Sequence, residues 1–110
     1  MTRNPQMARV TLYFGLDRIN KPAVTEGECT SFLNREVTPF FPIGLTVTHG
    51  RGQYKAGSGT LYDEDTKVLE IIYEHTSETD QRIETIRTLF KEQYDQESVL
   101  RVDSMAVAAW

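Results

Sequence analysis

The chain has a single cysteine, Cys29, among 110 residues, and only four prolines and seven glycines. One cysteine excludes an intrachain disulfide, so no covalent staple holds the fold. No apolar run approaches the roughly 18 residues needed to cross a bilayer, which excludes a spanning helix. Positive charge is sparse and scattered: 12 Lys and Arg stand against 16 Asp and Glu, a net charge of −4. That balance lacks the basic patch of a nucleic-acid binder. No apolar stretch follows Arg3 that would read as a secretory leader, and a cytoplasmic location is expected. Two separated histidines, His49 and His75, with no acid in register do not form a metal motif. Nor does any stretch spell a phosphate loop or nucleophile motif, so neither metal nor cofactor is expected.

What is present is ordinary for one folded domain: 39% hydrophobic, 10% aromatic and 25% charged residues. The expected organisation is a flexible tail over residues 1–6, one α+β domain over 7–104, and an apolar tail over 105–110 available to an oligomer interface.

Residues 7–15 alternate, with Ala8, Val10, Leu12 and Phe14 opposite Arg9, Thr11 and Tyr13, the period of a half-buried strand. Thr25 with Glu28 three residues on is a capping box. The apolar stripe Cys29, Phe32, Leu33 and Val37 then predicts a helix that Pro39 ends. A strand starts at Gly44, with Gly50 and Gly52 predicting a bulge or bend. Asp63, Glu64 and Asp65 read as a solvated turn interrupting the return strand, which resumes over residues 67–74. Ile83, Ile86, Phe90 and Tyr94 repeat at helical spacing behind a start at residues 76–80. Residues 98–103 read as a last strand.

The order β-α-β-β-α-β predicts a ferredoxin-like α+β fold: a four-stranded antiparallel sheet with two helices on one face. Assigning the more apolar set of each strand to the helices puts Leu100 and Val102 inward. Thr11, Tyr13, Thr48, Glu70 and Arg101 then fall on the open face, with Glu70 and Arg101 as a cross-strand ion pair. A face this mixed is expected to pair with a second copy, as a homodimer, or to hold a small organic ligand.

The candidate ligand-binding residues are Tyr13, Thr48 and Arg101 of the open face and Gln53 and Tyr54, which follow Gly50 and Gly52, glycines that would let a ligand approach the backbone. Glu36, His49 and Glu70 are the candidate bases for cofactor-free proton transfer on a small organic acid. A non-catalytic interaction module is the competing reading.

Several segments together resemble a bacterial family of unknown function, DUF3574: Leu12 to Leu16, Phe32-Leu33 with Glu36 to Pro39, Phe41-Pro42 with Gly44 to Val47, Gly52-Gln53-Tyr54, Lys67 to Leu69, and Gln96 to Leu100. Phe40 stands where the family pattern is basic, and Tyr54 where it carries tryptophan. The resemblance brings no activity. It implies that Tyr13, Glu36, Thr38, Gly44, Thr46, Gly52, Gln53, Glu64 and Ser98 occupy motif positions.

Overall fold

Alternating apolar residues along the strands and one apolar stripe on each helix close on a shared core. The computed structural model describes residues 3–110, with side chains from Met7 onward. The elements are β1 (Arg3–Gly15), α1 (Glu26–Glu36), a short 3-10 turn (Thr38–Phe40), β2 (Leu45–Lys55), β3 (Leu61–Tyr73), α2 (Ser77–Gln93) and β4 (Leu100–Ala109). The sheet order is β2-β3-β1-β4, antiparallel throughout. This is the ferredoxin-like arrangement expected from the sequence.

Both helices begin on hydroxyl caps. The Thr25 Oγ1 accepts from the Glu28 amide at 3.1 Å while the Glu28 carboxylate accepts from the Thr25 amide at 3.1 Å. Thr76 and Thr79 do the same for α2, a helix start that satisfies two otherwise orphaned amides. Val10, Leu12 and Phe14 of β1 and Leu69, Ile71 and Tyr73 of β3 pack against Phe32, Val37, Ile83, Ile86 and Phe90 of the helical layer. Phe14, Phe32 and Phe90 meet edge-on or tilted, with centroids 4.5 to 6.3 Å apart.

Four expectations need correction. The pairing of β2 with β3 runs without a break from Leu45↔Ile71 to Lys55↔Leu61, so Gly50 and Gly52 make no bulge. Asp63, Glu64 and Asp65 are not a turn but the middle of β3's distal half, each opposite a β2 residue. The turn precedes them, over the glycine-rich residues 56–59 whose composition marks it, where Ala56 donates to the Thr60 carbonyl and Gly59 takes φ +92°. Residues 105–110 are not a tail: β4 continues to Ala109, and Arg3 and Asn4 of β1 pair with Ala109 and Ala108. That pairing also takes residues 3–6 into β1, with a register shift between Asn4 and Met7, a stretch in which the missing amide of Pro5 is tolerated; Met1 and Thr2 lie outside the described residues.

The fourth correction is the parity of β4. Arg101 lies opposite Leu12, a core residue, so Arg101 faces the helices and Leu100 and Val102 face outward. Val99 is buried at 1%, whereas Leu100 and Val102 are 59% and 46% exposed. Three apolar residues within four positions let either parity look plausible. The structure selects the one that places Arg101 between the acids of α2.

Candidate functional site

At one end of the sheet's outward face, the strands and the loop after α2 enclose a cavity of about 370 Å³. Its walls come from four elements. Tyr13 and Gly15 belong to β1, Gly52, Gln53 and Tyr54 to β2, Glu64 and Thr66 to β3, and Gln96, Glu97 and Ser98 to the loop before Leu100 of β4. The volume falls in the range of small-molecule sites.

Register explains this convergence. Gly52 lies opposite Glu64, and Gly15 lies opposite Thr66, so two positions without side chains flank two polar ones. A Cβ on Gly15 would sit 2.4 Å from the Glu64 Oε1, and one on Gly52 would sit 2.9 Å from the Thr66 Oγ1. A side chain at either position would displace the Glu64 carboxylate or the Thr66 hydroxyl, so close approach rather than backbone angle is what these glycines serve.

Glu64 is the chemical centre of the cavity. Its Oε2 accepts from the Asp17 amide at 2.9 Å. Burial pushes its carboxyl above the usual range, with the Asp17 amide opposing and the Asp17 charge adding to the rise. Tyr54 stacks on Tyr62 with centroids 5.0 Å apart and planes 13° from parallel. Its phenol is also pushed up, first by burial and then by the charges of Glu64 and Glu97 and by Tyr62.

The loop wall is fastened to the loop after β1. Asp95 takes a left-handed φ of 52°, which turns the chain out of α2. The Gln96 side-chain amide then donates to the Asp17 carbonyl at 2.8 Å and to the Tyr94 carbonyl at 3.2 Å. An ion pair between Lys21 and Asp95 spans the same two loops.

Of the expected ligand-binding residues, Tyr13, Gln53 and Tyr54 line this cavity. Thr48 shares their sheet face through the row Thr48, Val68 and Tyr13 but lies outside the lining. Arg101 lies on the opposite face. There its guanidinium donates to Asp80 at 2.7 Å, Glu84 at 2.8 Å and Asp103 at 3.0 Å, with the side chain only 13% exposed. Burial alone would lower its pKa; hydrogen bonds to Asp103, Glu84 and Asp80 raise it well above the ordinary value.

The three expected bases are elsewhere. Glu36 accepts from Arg82 at 3.0 Å and from Arg35 at 3.2 Å, while the Arg82 guanidinium carbon rests 3.4 Å from the Phe40 ring centroid. That clamp ties the exit of α1 to α2. His49 lies 3.4 Å from Asp65 on the helix-side face of the β2–β3 arm, beside Arg51, which bridges Asp63 and Asp65. Glu70 sits in the row Thr46, Glu70 and Thr11 on the outward face, away from Arg101, so the expected ion pair does not form. It borders a separate groove with Ile72 and Trp110.

Glu64, Thr66 and Glu97 also line the cavity but were not among the candidate ligand-binding residues; of the three, only Glu64 stood at a motif position. The signal lay in the alternation of Asp63, Glu64 and Asp65: Asp63 and Asp65 pair with Arg51 on one face, which turns Glu64 to the other. Among the described residues, no group of three or more His, Cys, Asp or Glu side chains is placed to hold a metal ion, and no helix is long and apolar enough to cross a membrane.

Fold and cavity together define a ferredoxin-like α+β domain with a cavity of small-molecule size at the end of its open sheet face. The chain belongs to the family of proteins of unknown function DUF3574, whose sequence pattern matches residues 9–110. Five positions that carry that resemblance, Tyr13, Gly52, Gln53, Glu64 and Ser98, line this cavity. The structure is similar to a phage SAM lyase in complex with S-methyl-5′-thioadenosine, with TM-score 0.74 and 17% identity over 97% of this chain and 92% of that one. It is also similar to CutA from Synechococcus elongatus, with TM-score 0.61 and 10% identity over 98% and 83% of the two chains. At such identities the likeness is one of fold. No protein of curated function matches the sequence.

Proposed function

We propose that this protein binds a small organic ligand in the cavity around Glu64 and works as a cytoplasmic homodimer joined through the outward sheet face. The observation that carries the reading is the convergence of Tyr13, Gly52, Gln53, Glu64 and Ser98 on one cavity of about 370 Å³. A carboxylate withdrawn from water, with one backbone donor at 2.9 Å, suits a hydroxyl or amine of a ligand. The phage SAM lyase structure supports the choice of probes, since a chain of this fold there holds a nucleoside thioether.

The lining turns the reading away from an organic acid. Among its described residues are Glu64 and Glu97 but no lysine, arginine or histidine. A proton-transfer enzyme on this scaffold would use Glu64 as its base rather than Glu36, His49 or Glu70. From Tyr13 and Leu100 in the cavity wall to Val102 beyond it, an exposed apolar surface runs from row to row, which supports pairing of two copies there.

A thermal-shift screen of metabolites, S-methyl-5′-thioadenosine included, tests the site. A ligand at about 100 times its dissociation constant stabilises the fold by about 2.7 kcal/mol, and Gly15→Leu, which fills the Glu64 position, abolishes the shift. A panel without any shift overturns the ligand reading.

The interaction-module reading is favoured by Met105, Val107 and Trp110, which β4 leaves exposed. Sedimentation of Leu100→Asp separates the two interfaces. A monomer places the contact on the sheet face, and an unchanged oligomer moves it to the end of β4.

A further inference from the structure

We infer that the cavity around Glu64 selects an organic onium cation, a quaternary ammonium or sulfonium group, and discriminates against a neutral molecule of the same shape. The inference rests on the ligand-binding reading above and names the chemistry of that site.

Three observations carry it. The charge in the lining has one sign: Glu64 and Glu97 contribute carboxylates, and no cationic side chain among the described residues neutralises them. Among the described residues neither acid is spent on an ion pair, and the donor on these carboxylates is the Asp17 amide at Glu64 Oε2. Aromatic surface stands beside the acids, with Tyr13 and Tyr54 in the wall and Tyr62 stacked behind Tyr54 at 5.0 Å. The Tyr54 phenol registers both acids as negative charge, after the larger effect of its burial.

Carboxylates beside aromatic faces in a partly enclosed site favour a diffuse positive charge. A compact metal ion needs several converging oxygen or nitrogen ligands, and no such group occurs among the described residues. A primary ammonium needs acceptors for its three N–H donors, whereas the onium group needs only surface and charge. The Glu64 carboxylate lies against Gly15 of β1, where the absence of a Cβ leaves it room.

The test uses two isosteres that differ in one charge, acetylcholine and 3,3-dimethylbutyl acetate, titrated into the full chain and followed by backbone amide NMR. The cation is expected to perturb Gly15, Gly52 and Glu64 and to bind at least about tenfold more tightly than the neutral ester. Glu64→Gln, which keeps the side-chain shape and the Asp17 contact, is expected to remove that preference. Glu92→Gln, an acid outside the cavity, is expected to retain it.

Equal binding of both compounds at the cavity overturns the cation inference and leaves the ligand-binding reading standing. Perturbations confined to residues outside the cavity, or a preference that survives Glu64→Gln, overturn the inference as well. Absence of any cavity perturbation by acetylcholine at millimolar concentration does the same, and the metabolite screen then decides the broader reading separately.

Discussion

Two clusters of acids occupy opposite faces of the same sheet, and they are built differently. On the helix side, Arg101 sits among Asp80, Glu84 and Asp103 with every guanidinium nitrogen engaged. On the outward side, Glu64 meets the Asp17 amide and a glycine wall, and no cation among the described residues. A saturated cluster has no bonding capacity left to offer a ligand, so its role is to fix β4 against α2. A carboxylate that is partly dehydrated and only partly satisfied keeps that capacity. The sequence shows both as isolated charges; satisfaction distinguishes them.

The comparison breaks most sharply at Arg101. Arg101→Met leaves three carboxylates facing one another without their cation and is expected to destabilise the fold by about 2–3 kcal/mol in urea unfolding, while cavity binding persists. A loss below about 0.5 kcal/mol would remove the claim that this cluster holds β4 in its register.

Gly15→Ala should cost less. A methyl 2.4 Å from the Glu64 carboxylate forces that side chain to move, with an expected loss of about 1 kcal/mol and a clear drop in ligand affinity. Unchanged affinity would mean that the position of Glu64 is immaterial to binding.

The smallest effect is on pH dependence, where the two clusters have opposite signs. Glu84 is held below its ordinary pKa, chiefly by its hydrogen bond from Arg101, against burial. A depressed carboxyl stabilises the fold above its unfolded pKa, and that stability is lost as pH falls through the folded value. Glu64 is raised by burial, so folding binds its proton more tightly than the unfolded chain does. Its contribution is present below the unfolded pKa and fades as pH rises through the raised folded value. Acid titration of stability should therefore flatten in Arg101→Met, and Glu64→Gln should match or slightly exceed the parent at neutral pH, within about 0.5 kcal/mol. A steep acid slope surviving in Arg101→Met would place the titrating groups elsewhere.

Local rules made much of this legible. Thr25 with Glu28 marked the start of α1, Pro39 its exit, and the alternation of Val10, Leu12 and Phe14 the buried face of β1. Each depends on groups within a few residues of one another. Part of the cavity was legible as well, since Tyr13, Gln53 and Tyr54 stood out as polar or aromatic groups without a local structural task. Glu64 did not, because three consecutive acids look like a solvated turn until Arg51 is seen to claim Asp63 and Asp65. Arg101 was misplaced because Val99, Leu100 and Val102 satisfy either parity, and only the acids of α2 break the tie.

The sequence alone thus determined the element order, the helix boundaries and the inward faces of β1 and β3, because period and capping are short-range properties of the chain. Tertiary structure decided which face β4 presents, whether the β2–β3 arm is continuous, and which acid is left unspent in a cavity. Those outcomes depend on pairing partners tens of residues apart, where hydrogen-bond satisfaction and burial choose among alternatives that local pattern leaves equal.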